Sequence, residues 1–371
     1  MIQPRPEIEG ISMYSPGKPI EELKREKGLT HVYKMASNEN PFGFSKLAEE
    51  AMKHEMAEIT RYPETTSPSL AIKLANRLDI SRDQLLFGSG SDEIIRLLTR
   101  TFLNAGDEVV MAGVTFPRYK TNVLIEGGKP IEVDMVNGTH DLEAMAEAIT
   151  AETKIVFVCN PNNPTGTIVE KKALRQFIER VPDHVLLVMD EAYYEYADDE
   201  AYLETLPMLN DHPNMVILRT FSKIYGLAAL RIGYGIMHPD LVGHLLKVKE
   251  PFNVNRLAAA AASASLDDEG FVEDTIRKNQ EARDYLIRSF SRMGLSYFPT
   301  QTNFIMVDTG FPAEEVHEHL LNQGIIIRPG HLMGYPTMIR VTMGLPEENE
   351  AFITQLDAFL QTKRSASKET R

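Results

Sequence analysis

The chain has 371 residues, of which 43% are hydrophobic and 25% charged, values typical of a globular protein. One hydrophobic core rarely spans this length, so we expect a large domain and a smaller one. A net charge of −14 argues against binding to nucleic acid, whose phosphates require clustered lysines and arginines. No apolar run reaches about 18 residues and no secretory pattern opens the chain, so we predict a cytoplasmic protein away from membranes. The single cysteine, Cys159, excludes an internal disulfide and a cysteine-cluster metal site.

Short apolar runs alternate with amphipathic helical stretches up to about residue 250. The helical stretches include Asp92–Leu103, Glu170–Arg180 and Pro239–Lys249. The strand-like runs are Gln84–Phe87, Glu108–Ala112, Lys154–Cys159, Val185–Asp190, Met215–Thr220 and Ile232–Met237. This alternation predicts an α/β fold with a mostly parallel sheet flanked by helices, and ligands of such sheets bind at the carboxyl ends of the strands.

The pattern changes after residue 250. Helical segments follow from Val254 to Arg292, then three short strand-like runs and a closing helix from Pro346 to Leu360. The three runs are Asn303–Val307, Ile325–Arg328 and Met338–Met343. We therefore predict a large domain over 44–250 and a smaller α+β domain made of 1–43 and 251–361. The polar tail, 362–371, is predicted to be disordered.

Lys223 follows a predicted strand in a segment rich in small hydroxyl residues. A lysine whose pKa is lowered there can bond covalently to an aldehyde, although most lysines are solvated surface groups. Arg231, eight residues further on, is suited to pair with a phosphate, and Thr220 and Ser222 offer hydroxyl groups to the same anion. The presence of these anion-binding residues near Lys223 in the sequence favours a functional role for Lys223.

Asp190 ends an apolar strand, which places its carboxylate at the ligand-binding edge of the sheet. A carboxylate there can keep a pyridine nitrogen protonated, so that the ring absorbs electrons from a substrate. Capping of a helix is an equally good explanation for Asp190 taken alone. The neighbouring Glu191 could instead bind a metal, but no second cluster of ligands supports that reading.

Two loops rich in small residues follow other strands. Asn160–Gly166 contains two prolines that fix its backbone, so that an asparagine side chain is aimed with little loss of entropy. Phe87–Ile95 passes from a strand through a Gly/Ser-rich turn into a helix, whose first N–H groups can cradle an anion. A plain helix cap by Ser91 or Asp92 explains the second loop equally well.

Arg328 and Arg340 lie within strand-like runs, where each guanidinium needs an internal carboxylate or an anionic ligand. Phe116 follows a strand and can stack on a planar ring, although packing in the core is its default role.

In this order, these segments resemble the fold-type I pyridoxal-phosphate aminotransferases, and within them the histidinol-phosphate aminotransferases. The similarity extends from about Tyr14 to Leu360. The segments that carry it are Ala36–Gly43, Gly88–Glu93, Asn160–Gly166, Asp190–Tyr193, Thr220–Arg231 and Arg340–Gly344. The resemblance implies an aminotransferase with pyridoxal 5′-phosphate as cofactor, no metal, and a ping-pong reaction between an amine donor and a 2-oxo acid.

The resemblance also implies a role for each site residue. Lys223 would hold the cofactor and move the proton, Asp190 would bind the pyridine nitrogen, and Phe116 would stack on the ring. Asn163 and Tyr193 would hydrogen-bond the ring oxygen. The phosphate would be held by Gly90, Ser91, Asp92, Thr220, Ser222 and Arg231, and by Tyr62 from the neighbouring subunit of a homodimer.

The substrate would be bound by Tyr14, Asn40, Arg328 and Arg340. The resemblance implies that Arg340 takes the carboxylate of glutamate or 2-oxoglutarate, and with Arg328 the phosphate of histidinol phosphate. Ile224 and the Pro63–Thr66 segment depart from the common pattern, the second beside the substrate entrance. An aromatic amino-acid aminotransferase and a threonine-phosphate decarboxylase are the alternatives. A ligand-sensing DNA-binding regulator is disfavoured, because the chain has no basic module.

Overall fold

A computed structural model describes residues 2–11, 13 and 17–369, and in that part seven strands form the main sheet. Neighbouring strands are parallel except Gly233–Met237, which is antiparallel to both of its neighbours. The spatial order is Leu85–Gly88, Gly233–Met237, Met215–Thr220, Leu186–Asp190, Thr153–Cys159, Glu108–Ala112 and Lys129–Val133. The predicted α/β class with a mostly parallel sheet is confirmed.

Both faces of this sheet are buried under helices. In the central strand Thr153–Cys159, Val156 and Val158 belong to one hydrophobic cluster, whereas Ile155 and Phe157 belong to the cluster on the other face. This is the alternation that a strand imposes on its side chains. The helices associated with this sheet are Lys46–Glu55, Pro68–Leu78, Ser91–Phe102, Arg118–Ile125, Leu142–Glu147, Lys171–Arg180, Pro239–Leu246 and Arg256–Ser265.

A smaller antiparallel sheet lies in the C-terminal part of the chain. Its strands, in spatial order, are Ser296–Tyr297, Phe304–Asp308, Met338–Thr342 and Arg328–Pro329. The helices Glu269–Met293, Ala313–Asn322 and Pro346–Glu369 contribute to its hydrophobic cluster. The N-terminal segment joins this region, because Tyr33–Lys34 pairs in parallel with Ile325–Ile326. The remaining short elements are Pro6–Glu9, Ile20–Lys27, Met135–Val136 and Thr139–His140.

Two segments differ from the sequence-based expectation. The helix Arg256–Ser265, assigned above to the smaller domain, buries its alanines in the large cluster and packs against Lys46–Glu55. The last helix continues through the expected disordered tail to Glu369, since no glycine or proline interrupts it. The division into two domains stays a prediction. Its boundary at residue 251 does not fit the helix Arg256–Ser265, which packs with the large domain.

The helices of the described residues lack the combination of length and apolar composition that a membrane-crossing segment requires. The cytoplasmic location stays a prediction.

Candidate active site

The chemically distinctive residues lie at the carboxyl edge of the main sheet. Asp190 and Thr220 are the last residues of their strands, and Asp190 lies opposite Cys159 in the ladder. Lys223 follows Thr220 by three residues, and the Asn160–Gly166 loop follows Cys159 directly. Because these strands are parallel, their carboxyl ends open onto the same edge, where ligands of α/β sheets bind.

Asp190 is buried at this edge and is held by two hydrogen bonds. Its Oδ2 accepts from the hydroxyl of Tyr119 at 2.6 Å, and its Oδ1 accepts from the backbone N–H of Ala192 at 3.1 Å. Burial raises the pKa of Asp190 to about 6, and the two hydrogen bonds oppose that rise. The carboxylate is therefore ionised at neutral pH, with a strong preference for a positively charged partner.

Tyr119 is a site residue that the sequence did not reveal. Its ring stacks on Phe157 with centroids 4.4 Å apart and an interplanar angle of 5°, and Phe116 meets its edge at 5.6 Å. This packing fixes the phenol so that its hydroxyl reaches Asp190. The only signal in the sequence is its place three residues after Phe116, at the start of a helix, which is equally typical of a core tyrosine.

Lys223 is half-buried, and its Nζ lies 5.5 Å from the centroid of the Tyr193 ring. Loss of solvation, and after it the positive charge of Arg340, lowers the pKa of Lys223 to about 8. Arg231 acts in the same direction, whereas Glu39 and Asp92 raise the pKa. About one tenth of this amine is therefore neutral and nucleophilic at pH 7, far more than of an ordinary lysine.

Gly90 and Arg231 form one wall of a candidate anion cradle. Gly90 has φ +78°, and a Cβ on it would lie 2.5 Å from Nη2 of Arg231, so only glycine leaves the guanidinium its place. Nη1 of Arg231 donates to Oγ of Ser222 at 3.4 Å, and Oγ1 of Thr220 accepts from the Ser222 N–H at 3.0 Å. The hydroxyls and the guanidinium thus converge where the Ser91–Phe102 helix begins.

The same cradle has two further features of a phosphate site. A Cβ on Gly233 would lie 2.7 Å from the backbone N of Ser91, so the strand and the helix start approach closely. The first N–H groups of a helix lack intrahelical carbonyl partners and favour an anion. Oδ1 of Asp92 is buried and has no hydrogen-bond partner among the described residues. The backbone and guanidinium donors of this lining thus fit a phosphate, whereas Oδ1 of Asp92 is an acceptor and contributes no donor to it.

Arg340 links the smaller sheet to the Asn160–Gly166 loop. Its Nη1 donates to Oδ1 of Asn163 at 2.5 Å, and its Nη2 donates to the carbonyl of Ala36 at 2.8 Å. Arg328 lies directly opposite Arg340 in the antiparallel ladder. Side chains at such positions share one face of the sheet, and two like charges there favour an anion between them.

The other predicted residues have different environments. Nδ2 of Asn40 donates to the carbonyl of Ile224 at 2.8 Å, so Asn40 fixes the backbone next to Lys223. Tyr62 is 79% exposed and stacks on Phe252 with centroids 4.7 Å apart. Tyr14 lies outside the described residues.

Glu191, considered above as a metal ligand, is an internal ion-pair partner. Its Oε2 accepts from Nε and Nη2 of Arg219 at 2.9 and 2.8 Å, and both side chains are buried. Over the described ranges, no group of three His, Cys, Asp or Glu side chains is arranged to hold a metal ion. Burial raises the pKa of the Cys159 thiol, which makes it an unreactive core residue.

The chain is similar over nearly its whole length to known aminotransferases. It is 46% identical over 358 residues to the histidinol-phosphate aminotransferase of Geobacillus sp. (strain WCH70), which covers 96% of this chain and 98% of that protein. The enzyme of that name from Bacillus subtilis (strain 168) is also 46% identical, over 354 residues, covering 95% of this chain and 98% of its own.

A solved structure shows the same architecture. The histidinol-phosphate aminotransferase from Sinorhizobium meliloti, in complex with pyridoxal-5′-phosphate, superposes with a TM-score of 0.89 at 29% identity, covering 96% of this chain and 97% of that one. The model of the family "Aminotransferase class I and II" matches residues 30–356. The chain belongs to the family of class I and II aminotransferases.

Proposed function

We propose that this aminotransferase uses pyridoxal 5′-phosphate and transfers the amino group of L-histidinol phosphate to 2-oxoglutarate. The observation that carries the proposal is the setting of Lys223, an amine with a pKa lowered to about 8 on the sheet edge that also holds Asp190 and the Gly90–Arg231 cradle. An aldehyde-bearing pyridine phosphate needs these three elements together.

The cofactor's parts correspond to separate groups of residues. Gly90, Ser91, Asp92, Thr220, Ser222 and Arg231 would hold its phosphate. Asp190 would face the ring nitrogen, where its ionised carboxylate stabilises a positive charge. Phe116 would pack on the ring, and Asn163 and Tyr193 would donate to the ring oxygen. When bound, pyridoxal phosphate supplies an aldehyde for the substrate amine and a ring that accepts the electrons of the broken C–H bond.

Lys223 would perform the proton transfer. When it is not bound to the cofactor, its Nζ would be a base whose lowered pKa suits general-base work near neutral pH. The Lys223 amine would remove the proton from the substrate carbon that carries the amino group and deliver it to the aldehyde carbon of the cofactor. The hydrogen bond from Tyr119 favours the ionised form of Asp190, which would favour a protonated ring nitrogen.

The substrate assignment is supported by Arg328 and Arg340, paired across two strands of the smaller sheet. One pair of guanidinium groups can bind either the phosphate of histidinol phosphate or a carboxylate of 2-oxoglutarate, since both are oxyanions that match a forked donor. The names of the relatives from Geobacillus and Bacillus subtilis support the same substrate. Histidinol phosphate and 2-oxoglutarate would then occupy the same site one after the other, as a ping-pong mechanism requires.

We further propose a homodimer in which Tyr62 reaches the phosphate site of the partner subunit. Tyr62 is largely exposed, and its stacking partner Phe252 is 42% exposed, so the pair presents an aromatic surface outward. Met56 and Ile59 are also exposed in the same stretch of chain. Such apolar exposure is typical of a surface that a protein partner covers.

The test is a transaminase assay with 2-oxoglutarate as acceptor, comparing histidinol phosphate with phenylalanine and tyrosine. We expect kcat/KM for histidinol phosphate to exceed that for the aromatic amino acids, and glutamate to appear in equal amount to the keto product. A preference for the aromatic amino acids would overturn the substrate assignment. Release of carbon dioxide from threonine phosphate without any need for a keto acid would overturn the transaminase assignment.

A further inference from the structure

Asn38 lies between the smaller sheet and Tyr193. Its Nδ2 donates to Oη of Tyr193 at 3.0 Å, and both residues are buried. Asn38 has φ +55°, a left-handed conformation that asparagine tolerates better than most residues. Its carbonyl accepts from Nδ2 of Asn303 at 3.0 Å, which fixes this backbone position.

The orientation of the Asn38 amide is set by Thr342. The Thr342 hydroxyl accepts from the backbone N–H of Asn38 at 3.0 Å and donates to its Oδ1 at 3.1 Å. A hydroxyl has one hydrogen, and here it is used on Oδ1. In this orientation the oxygen of the amide bonds Thr342 and the NH₂ group faces Tyr193.

This arrangement decides what Tyr193 can do. A phenol has one hydrogen to donate and can also accept. Because Asn38 already donates to Oη, the Tyr193 hydrogen cannot point at Asn38. Among the described residues, Tyr193 Oη makes only this hydrogen bond, so its hydrogen is available to an acceptor in the site.

We propose that Asn38 is a positioning residue that fixes Tyr193 as a hydrogen-bond donor toward the ring oxygen of the cofactor. The inference rests on the proposed function, in which that oxygen lies beside Tyr193 and Asn163. Thr342 extends the chain of hydrogen bonds to the strand that carries Arg340, two residues earlier. The donor state of Tyr193 is thereby tied to the strand that binds the substrate anion.

The test is a pH titration of the visible absorbance of the cofactor-loaded protein. Asn38→Asp replaces the amide donor with a carboxylate that accepts, so the Tyr193 hydrogen turns toward residue 38 and the ring oxygen loses a donor. We expect the pKa of the Lys223-bound chromophore to rise by about 0.5 to 1 pH unit, the loss of one ordinary hydrogen bond. Tyr193→Phe should shift it in the same direction.

The double variant Asn38→Asp/Tyr193→Phe separates an effect that acts through Tyr193 from a general disturbance of the site. If Asn38 acts through Tyr193, the shift that Asn38→Asp causes shrinks in the Tyr193→Phe background to the part that the added carboxylate charge alone produces. Thr342→Val, which frees Oδ1 of Asn38, should raise the pKa by a smaller amount, and Thr342→Ser should titrate as the unaltered protein does. The Thr342 pair also tests the inference if Asn38→Asp does not fold.

Two results would overturn the inference. One is an unshifted titration in Asn38→Asp while Tyr193→Phe shifts, and the other is a shift of equal size with and without the Tyr193 hydroxyl. Absence of any visible absorbance in the unaltered protein would instead contradict the proposed function, so the two failures are distinguishable.

Discussion

The hydroxyl of Tyr119 donates a 2.6 Å hydrogen bond to Oδ2 of Asp190, and both groups are buried. This bond favours the ionised carboxylate against the effect of burial, which raises the pKa of Asp190 to about 6. Below that pH the carboxyl is neutral and cannot hold a protonated ring nitrogen. Cofactor affinity should therefore fall as the pH drops through about 6.

Tyr119→Phe removes this donor and leaves the stacked ring in place. We expect the pKa of Asp190 to rise, so that affinity for pyridoxal phosphate begins to fall at a higher pH. At neutral pH the dissociation constant should increase by about tenfold, as expected for a hydrogen bond to a charged group. Equilibrium dialysis of the apoprotein across pH 5 to about 8 measures both effects.

Tyr297→Phe is the matched control, because that ring packs on Phe290 beside the smaller sheet. It should leave both the affinity and its pH dependence unchanged. Equal pH profiles for Tyr119→Phe and the unaltered protein would show that Tyr119 serves packing alone.

The phosphate cradle depends on the absence of a side chain at Gly90. Gly90→Ala places a Cβ 2.5 Å from Nη2 of Arg231, which must move away, and imposes a left-handed conformation on alanine. We expect a loss of about 1 to 2 kcal/mol in the free energy of unfolding and at least a roughly tenfold weaker affinity for pyridoxal phosphate. Chemical denaturation and a cofactor titration measure the two quantities.

Gly243→Ala is the control for this substitution. Gly243 is exposed on the helix Pro239–Leu246, and a Cβ there meets no atom within 4 Å. Alanine should stabilise the helix by about 0.5 to 1 kcal/mol and leave cofactor affinity unchanged. Unchanged affinity in Gly90→Ala would contradict the cradle.

The reactivity of Lys223 should follow its lowered pKa. The amine is neutral above about pH 8 rather than above its ordinary 10.5, so the rate of cofactor attachment to the apoprotein should rise with pH and level off above about 8. Arg340→Ala removes a positive neighbour, so the pKa rises and the midpoint moves to higher pH. Arg340→Lys keeps the charge and should keep the midpoint. A midpoint near 10.5 in the unaltered protein would contradict this account.

The sharing of Tyr62 between subunits is testable by mixing two inactive variants. If Tyr62 serves the partner's site, a heterodimer of Tyr62→Ala and Lys223→Ala contains one site with Lys223 and an intact tyrosine. Refolding the two variants together should then restore up to about one quarter of the activity, the outcome of random pairing with one intact site per heterodimer. No recovery, with dimers confirmed by light scattering, would place Tyr62 in the site of its own subunit.

Sequence patterns predicted the carboxyl edge of the sheet because polar residues such as Asp190 and Thr220 come at the ends of apolar strands. The antiparallel strand Gly233–Met237 lies between two strands that it follows in sequence, and its direction depends on pairing that the pattern does not encode. The side on which the alanine-rich helix Arg256–Ser265 packs was also ambiguous, since its small residues suit either core.

The site residues divide in the same way. Lys223 and Arg231 carry chemistry in their side chains and stand in a recognisable order. Tyr119 and Asn38 act through other residues across long separations in the chain, and only the folded geometry brings their hydrogen bonds together. The register that puts Arg328 opposite Arg340 is likewise a property of strand pairing and not of either segment alone.

The most direct test of the account is to trap the cofactor on the protein. The apoprotein is incubated with pyridoxal phosphate, reduced with borohydride, digested, and mapped by mass spectrometry, with Lys223→Ala treated in parallel. The account predicts one modified peptide, with the cofactor on Lys223, and no specific modification in the variant. Modification at another lysine, or an unmodified Lys223 in a protein that still transaminates, would contradict it.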